Sequence, residues 1–269
     1  MVRNDEFFLR RWVSYYGEQL GKENLYVILD GTDQVLESNY EGVHISFYDH
    51  VVGQVAEADR GRIKILSDYA ADLLQSYDLV IGTDVDEFLV VDPALGFSLG
   101  EYLSRQKIKT SLSGLGIDVG QHLKCEAAID ENRLFLQQRR YALLSSRYTK
   151  ASVLARPVAW GSGFHRVRHS NFHIAKDLFL FHFGCVDYYR IRARLEDKER
   201  IDTGWSGHLA RRMRTIAIVS HSDARMWNQT VKQARCMQTI FRQIQAWNKP
   251  SMLWQKYVVE IPERFRNIV

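Results

Sequence analysis

Leu79-Val80-Ile81-Gly82-Thr83-Asp84-Val85-Asp86-Glu87-Phe88-Leu89-Val90 is the most informative run of the chain. Its apolar opening suits a buried strand, and the acids follow where that strand should end. Side chains two apart on a strand share a face, so Asp84 and Asp86 are expected to converge on one point, with Glu87 turned the other way in a structural role. Two carboxylates so placed suit a hard divalent cation, Mg²⁺ or Mn²⁺, which takes oxygen ligands and often shares them with substrate phosphates. The DxD alone is weak, since a solvated strand end has the same composition.

The flanking sequence strengthens it. Phe7, Phe8, Trp12, Val13, Tyr15 and Tyr16 fall on one face of a helix that starts near Asn4 and Asp5 and stops at Gly21. Leu25 to Leu29 reads as a buried parallel strand that ends at Asp30-Gly31-Thr32-Asp33. Further strands are expected at Val43 to Phe47 and Arg62 to Leu66, then a helix from Ser67 with Tyr69, Ala70, Leu73, Leu74 and Tyr77 on one face. This alternation predicts an α/β protein with an open, largely parallel sheet, whose ligands bind at the carboxyl rim that Asp30, Asp33, Asp84 and Asp86 would share. Beyond residue 100 the pattern shifts to turns and short β-like pieces, an apolar run from Leu178 to Phe183, and an amphipathic helix from Asp223 to Trp247.

Composition narrows the class. A chain of 269 residues with four prolines, 46% hydrophobic and 25% charged residues, is neither a disulfide-stapled miniprotein nor a disordered linker. Cys125, Cys185 and Cys236 are odd in number and far apart, which argues against a disulfide framework or zinc ribbon and for a reducing compartment. No run approaches the roughly 18 to 20 apolar residues of a membrane span, so a cytoplasmic location is expected. The net charge of +4 hides a division: residues 1–100 hold 7 Lys+Arg against 18 Asp+Glu, whereas residues 101–269 hold 29 against 14. An acidic rim would repel a diphosphate unless a divalent cation intervened.

Arg3-Asn4-Asp5-Glu6 with Leu9, Trp12, Tyr15 and Tyr16, then Leu29-Asp30-Gly31-Thr32-Asp33, then Asp84-Val85-Asp86-Glu87-Phe88-Leu89-Val90, resembles the N-terminal half of GT-A glycosyltransferases. The likeness is to their family 2 related group and continues through Gly163-Phe164-His165 and Leu178 to Phe183. It implies a Rossmann-like GT-A fold: an open mixed sheet flanked by helices over residues 1–204, with a nucleotide-sugar-binding half at 1–100, an acceptor-side half at 101–204, and a helical C-terminal extension at 205–269. The family's first strand precedes its RNE segment. Here only Met1 and Val2 stand in that place, so the strand is either minimal or cut short.

The resemblance implies roles for particular residues. Asp30 and Asp33 would contact the donor's nucleoside, as carboxylates accept from a base N–H or a ribose hydroxyl. Asp86 would be the direct metal ligand, with Asp84 on ribose or metal-bound water and His182 completing the shell around Mn²⁺ or Mg²⁺. His165 would sit on a loop that touches acceptor or diphosphate. The reaction implied is inverting transfer from a UDP- or GDP-sugar to a hydroxyl of a glycan or lipid-linked acceptor, as in bacterial surface polysaccharide synthesis. Inversion needs a general base, for which Asp187 and Asp118 are the candidates. A core histidine is the plain reading of His182, and an ordinary turn residue that of Asp118 and of Asp33.

The basic cluster of Arg190, Arg192, Arg194, Lys198, Arg200, Arg211, Arg212 and Arg214 is interleaved with acids and reads first as a solvated helix face. It carries no nucleic-acid motif, and an anionic acceptor or peripheral contact with a membrane surface suits it better. His165, His169 and His173 share an i, i+4 spacing but lack a further ligand for zinc. Two other readings stay open: a haloacid-dehalogenase-type phosphohydrolase with the first Asp of DxD as nucleophile, and a non-catalytic nucleotide-sugar-fold binding subunit.

Overall fold

The computed structural model describes residues 1–36, 38–50, 55–167, 173–202, 204–241 and 256–269. Helix α1, Glu6–Leu20, buries Phe7, Phe8, Leu9, Val13, Tyr15 and Tyr16 and ends where Gly21 takes a φ of +85°. Asp5 stands at its N-cap position but makes no side-chain cap bond. Strands β1, Tyr26–Asp30, and β2, His44–Tyr48, pair in parallel as expected, and Val2 adds a parallel bridge to Leu29.

Helix α2 spans Val55–Leu73, so the strand expected at Arg62 to Leu66 is helix instead. Ile63, Ser67 and Ala70 are its buried positions, a spacing of four and three that only a helix brings to one face. The apparent alternation of Ile63 and Ile65 is incidental to it. Strand β3, Val80–Ile81, precedes a turn, and β4, Glu87–Val91, follows within six residues. Helix α3, Leu99–Ser104, is held by a reciprocal capping box between Ser98 and Glu101.

The remaining elements are β5 (Ser111–Gly120), β6 (Tyr141–Leu144), β7 (Val153–Leu154), β8 (Ile174–Cys185), α4 (Tyr188–Glu196), α5 (Lys198–Asp202), α6 (Ser206–His221), α7 (Trp227–Ile240) and β9 (Tyr257–Glu260). They form a seven-stranded sheet among the described residues, beside the β1–β2 pair. Its pairings are antiparallel except for β5 with β8, which corrects the expectation of a largely parallel sheet. β3 and β4 are not neighbours in this sheet: β3 pairs with β7 and β4 with β8, so the direction of each pairing is set by partners from beyond residue 100 and not by the strand–helix alternation of the first hundred residues.

Every residue of β5 is buried, as is β8 from Leu178 onward; β8 is almost wholly apolar along that run, whereas β5 sets Ser, Gly and Asp118 between its apolar residues. Phe179, Phe181, Trp227 and Phe265 pack as one aromatic cluster that fastens α7 and the C-terminal turn to this sheet. On the far edge of β4, Tyr16 accepts from the Leu89 amide at 2.8 Å and Tyr15 donates to the Leu89 carbonyl at 2.8 Å. Thus α1 covers an edge that would otherwise expose backbone groups. The register of β8 shifts beside β5: Asp118 faces His182, but Gly120 faces Cys185, so β8 carries one extra residue there.

Residues 205–269 are not a purely helical extension, because β9 pairs with β6 and continues the sheet. Residues 242–247 of the expected last helix lie outside the described residues. No described helix is long and apolar enough to cross a membrane.

Candidate functional site

Asp84, Val85 and Asp86 do not continue a strand. They form a turn closed by the Glu87 amide donating to the Asp84 carbonyl at 3.0 Å, so alternation along a strand does not govern where these side chains point. Glu87 is therefore not set apart from the acids: its carboxylate and that of Asp84 share the Lys150 ammonium, at 2.5 and 2.9 Å. The second Asp84 oxygen takes Arg62 at 2.9 Å, and Arg62 also holds Asp59 at 2.9 Å. Burial opposes the charge on Asp84, but Lys150 and Arg62 outweigh it and hold the carboxyl well below the usual range. Glu87, at 1% exposure, goes the other way, because burial raises its pKa more than Lys150 lowers it.

Asp86 faces a separate group. Its Oδ2 lies 2.9 Å from Arg212 Nη2 and 3.3 Å from His182 Nε2. The other imidazole nitrogen, Nδ1, lies 2.6 Å from Asp118 Oδ1, and Asp118 Oδ2 accepts from the Thr215 hydroxyl at 3.0 Å. The Tyr148 ring stacks on His182 with centroids 3.8 Å apart. Burial disfavours a charged His182, yet Asp86 and Asp118 prevail and push its pKa up to about 9. Burial likewise opposes the Asp86 charge, and His182 with Arg212 overrides it, so this carboxyl sits far below its ordinary value.

Sheet register explains how residues so distant in sequence meet. Glu87 pairs with His182 across β4 and β8, and His182 pairs with Asp118 across β8 and β5. Paired residues on neighbouring strands point to the same face, so the register alone aligns all three. The turn before β4 then delivers Asp86 to His182. Helix α6 delivers Arg212 and Thr215 from above.

Asp86 Oδ2 and His182 Nε2 are the atoms that could hold a divalent cation here, provided His182 gives up the proton its two carboxylate partners favour. The Nδ1 contact to Asp118 is of the kind that orients a metal-binding imidazole. Gly184 packs closely against it: a Cβ there would stand 2.6 Å from His182 Nε2, so only glycine allows this approach. Asp84, expected as a ligand or its neighbour, has both oxygens in ion pairs, which also leaves it unfit as a phosphohydrolase nucleophile. Asp118, His182 and Cys185 bring one ligand atom each within 4.8 Å of one another. Burial, then Asp118, push the Cys185 thiol well up, so it stays protonated and acts as a hydrogen-bond donor to Asp118 rather than as a thiolate ligand.

The other expected site residues are distributed around this centre. Asp30 bonds His50 at 3.0 Å, and Asp33 makes two bonds to Arg3 at 2.9 and 3.0 Å. Met1 lies in the field of both Asp30 and Asp84, so the end of β1 and the DxD turn face each other. His165 follows a one-turn helix, Ser162–Phe164, whose Phe164 ring lies 5.8 Å from Arg62 and 5.7 Å from Lys150. It therefore flanks the Asp84 side. His169 lies outside the described residues.

Neither candidate base is positioned for that role. Asp187 caps α4, accepting from the Arg190 amide at 2.9 Å, and its other oxygen takes the Ile129 amide at 2.8 Å. Asp118 is spent on orienting His182. Sequence reading missed Arg62, Lys150 and Arg212. Arg212 had a detectable signal, because it lies on the stripe of Leu209, Ile216 and Val219, where a solvated arginine has no place. No protein-family model matches the chain, and no curated protein matches it.

Proposed function

We propose that the chain is a metal-dependent glycosyltransferase of GT-A type, moving a sugar from a nucleotide-diphosphate sugar to a hydroxyl of a glycan or lipid-linked acceptor with inversion. Synthesis of a bacterial surface polysaccharide is the setting this reading implies. The observation that carries it is the convergence of Asp86 Oδ2 and His182 Nε2 at 3.3 Å, beside a DxD turn that faces the acidic end of β1. Mn²⁺ or Mg²⁺ would be held by Asp86 and His182, and when bound it supplies positive charge to a leaving diphosphate. Asp118 keeps the His182 ring in one orientation, and Thr215 keeps Asp118 in place. Lys150 and Arg62 fix Asp84 at the other end of the turn and add positive charge on the side where His165 lies.

A second reading is favoured by one observation: Asp118 and Asp187 are both engaged in structural hydrogen bonds, so neither is free to take the acceptor's proton. The chain would then bind a nucleotide sugar without transferring it. Thermal shift with UDP- and GDP-sugars, with and without Mn²⁺, on wild type and Asp86→Asn tests the first reading. Stabilisation that needs both Mn²⁺ and Asp86 is expected. A nucleotide shift indifferent to either, or no shift, would end it. Donor consumption across an acceptor panel then separates transfer from binding alone.

A further inference from the structure

Arg212 occupies the carboxylate oxygen that a metal ion would need. Its Nη2 lies 2.9 Å from Asp86 Oδ2, the same oxygen that faces His182. A divalent ion bound at roughly 2.0–2.2 Å from that oxygen and a guanidinium hydrogen-bonded to it place two cations in direct contact, which a poorly solvated site disfavours. The site is poorly solvated, with the Arg212 and Asp86 side chains 17% and 12% exposed.

We infer that Arg212 is a displaceable cation: it neutralises Asp86 until a divalent ion takes that oxygen, and it then turns to bind the phosphates of the nucleotide ligand. The inference rests on the metal-dependent reading above and adds to it a coupling between metal and nucleotide.

What surrounds Arg212 determines the coupling. Helix α6 is fastened by Leu209, Ile216 and Val219 and by the Thr215 bond to Asp118, so its backbone is fixed and only the guanidinium can turn. Asp5, a further acid whose field Arg212 feels, is already engaged by Arg194 at 2.8 Å. Towards solvent stand Arg147, Arg211 and His208, all basic and near enough to disfavour one another's charge. Once displaced, Arg212 would thus lie among like charges and the new metal ion. An anion resolves this. A diphosphate suits it best, because a guanidinium pairs two phosphate oxygens at once while the remaining oxygens meet the metal. Metal alone should therefore bind weakly, and metal with nucleotide strongly. By linkage, each should raise the other's affinity equally.

The test is Mn²⁺ binding followed by electron paramagnetic resonance, with and without UDP or GDP, which needs no turnover. Wild type should bind Mn²⁺ on the order of tenfold tighter with the preferred nucleotide present. Arg212→Ala should bind Mn²⁺ alone about tenfold tighter than wild type and lose most of the enhancement by nucleotide. Arg212→Gln, which keeps a hydrogen-bond donor to Asp86 without the charge, should behave the same way and serves if the alanine variant folds poorly. Arg214→Ala removes an exposed charge from the same helix and should match wild type. If Arg212 variants bind Mn²⁺ as wild type does while Asp86→Asn abolishes binding, the exchange is refuted and the metal site stands. If Mn²⁺ binding is absent, or ignores Asp86, the exchange and the metal-dependent reading both fall.

Discussion

Lys150→Met should destabilise the protein by about 3–5 kcal/mol, the cost of breaking a buried ion pair from one side. The loss should fall mainly on Glu87. Asp84 would keep Arg62 at 2.9 Å, whereas Glu87, 1% exposed, would lose its 2.5 Å contact and already has one oxygen, Oε2, without a partner. Burial holds the Glu87 carboxyl up at about 7 even beside Lys150, so without the ammonium it must take up a proton above that pH or stay charged at a cost. Adding Glu87→Gln removes that carboxyl, so the double variant should recover roughly 2 kcal/mol or more relative to the sum of the single changes. Urea unfolding, followed by tryptophan fluorescence at about pH 8.5, where the carboxyl would otherwise ionise, supplies all four corners of the cycle. If the two substitutions simply add, or if Lys150→Met costs under about 1 kcal/mol, the ammonium is not what makes the Glu87 charge tolerable.

Asp187→Ala should cost about 1–3 kcal/mol by removing the cap of α4 and the bond to the Ile129 amide, with Asp187→Asn much milder. Unaltered melting with a large loss of transfer would instead make Asp187 a base. Gly184→Ala, which sets a methyl 2.6 Å from His182 Nε2 and 2.7 Å from Arg212 Cζ, should cost about 1–3 kcal/mol and abolish Mn²⁺ binding, as read by thermal melting and paramagnetic resonance. For Asp92, burial favours the neutral acid, but two bonds from Arg264 at 2.6 and 2.7 Å and one from the Ala94 amide hold its pKa below the ordinary value. A depressed carboxylate stabilises the fold above its unfolded pKa of about 4 and loses that contribution as pH falls through the folded one. The stability gap between wild type and Arg264→Ala should therefore be full at pH 6 and shrink below pH 4. A gap independent of pH would contradict it.

The elements with strong periodicity were legible in the sequence: α1, the parallel pair β1 and β2, and the apolar strand before the acids. The strand at Arg62 to Leu66 misled because two isoleucines two apart imitate alternation, while the helical stripe of Ile63, Ser67 and Ala70 includes a serine. Sheet direction was not legible. It depends on which strands β7 and β8 enter beside, a long-range choice that local pattern does not record. The acids of the site could be read because a DxD is contiguous. Their counter-ions could not, since Arg62, Lys150 and Arg212 come from three separate segments, and composition assigns them to solvent by default. The acidic front and basic back of the chain meet, in part, in two adjoining ion-pair groups, Asp84 and Glu87 with Lys150 and Asp86 with His182 and Arg212.

The shift in β8 bears on where this chain tolerates changes in length. His182 and Cys185 are three apart and would point to opposite faces of a regular strand, yet both reach Asp118. The extra residue between them is what reconciles the spacing. Deleting one residue at Phe183 or Gly184 would leave the hydrophobic composition of β8 almost unchanged. It would also remove the bulge and leave His182 and Cys185 two apart, which plain alternation keeps on one face, so Cys185 and the start of α4 would keep their partners. What would go is the bend that sets Gly184 against His182 Nε2, and an aligned relative lacking that residue would be expected to keep the strand pairing and to lack that close approach.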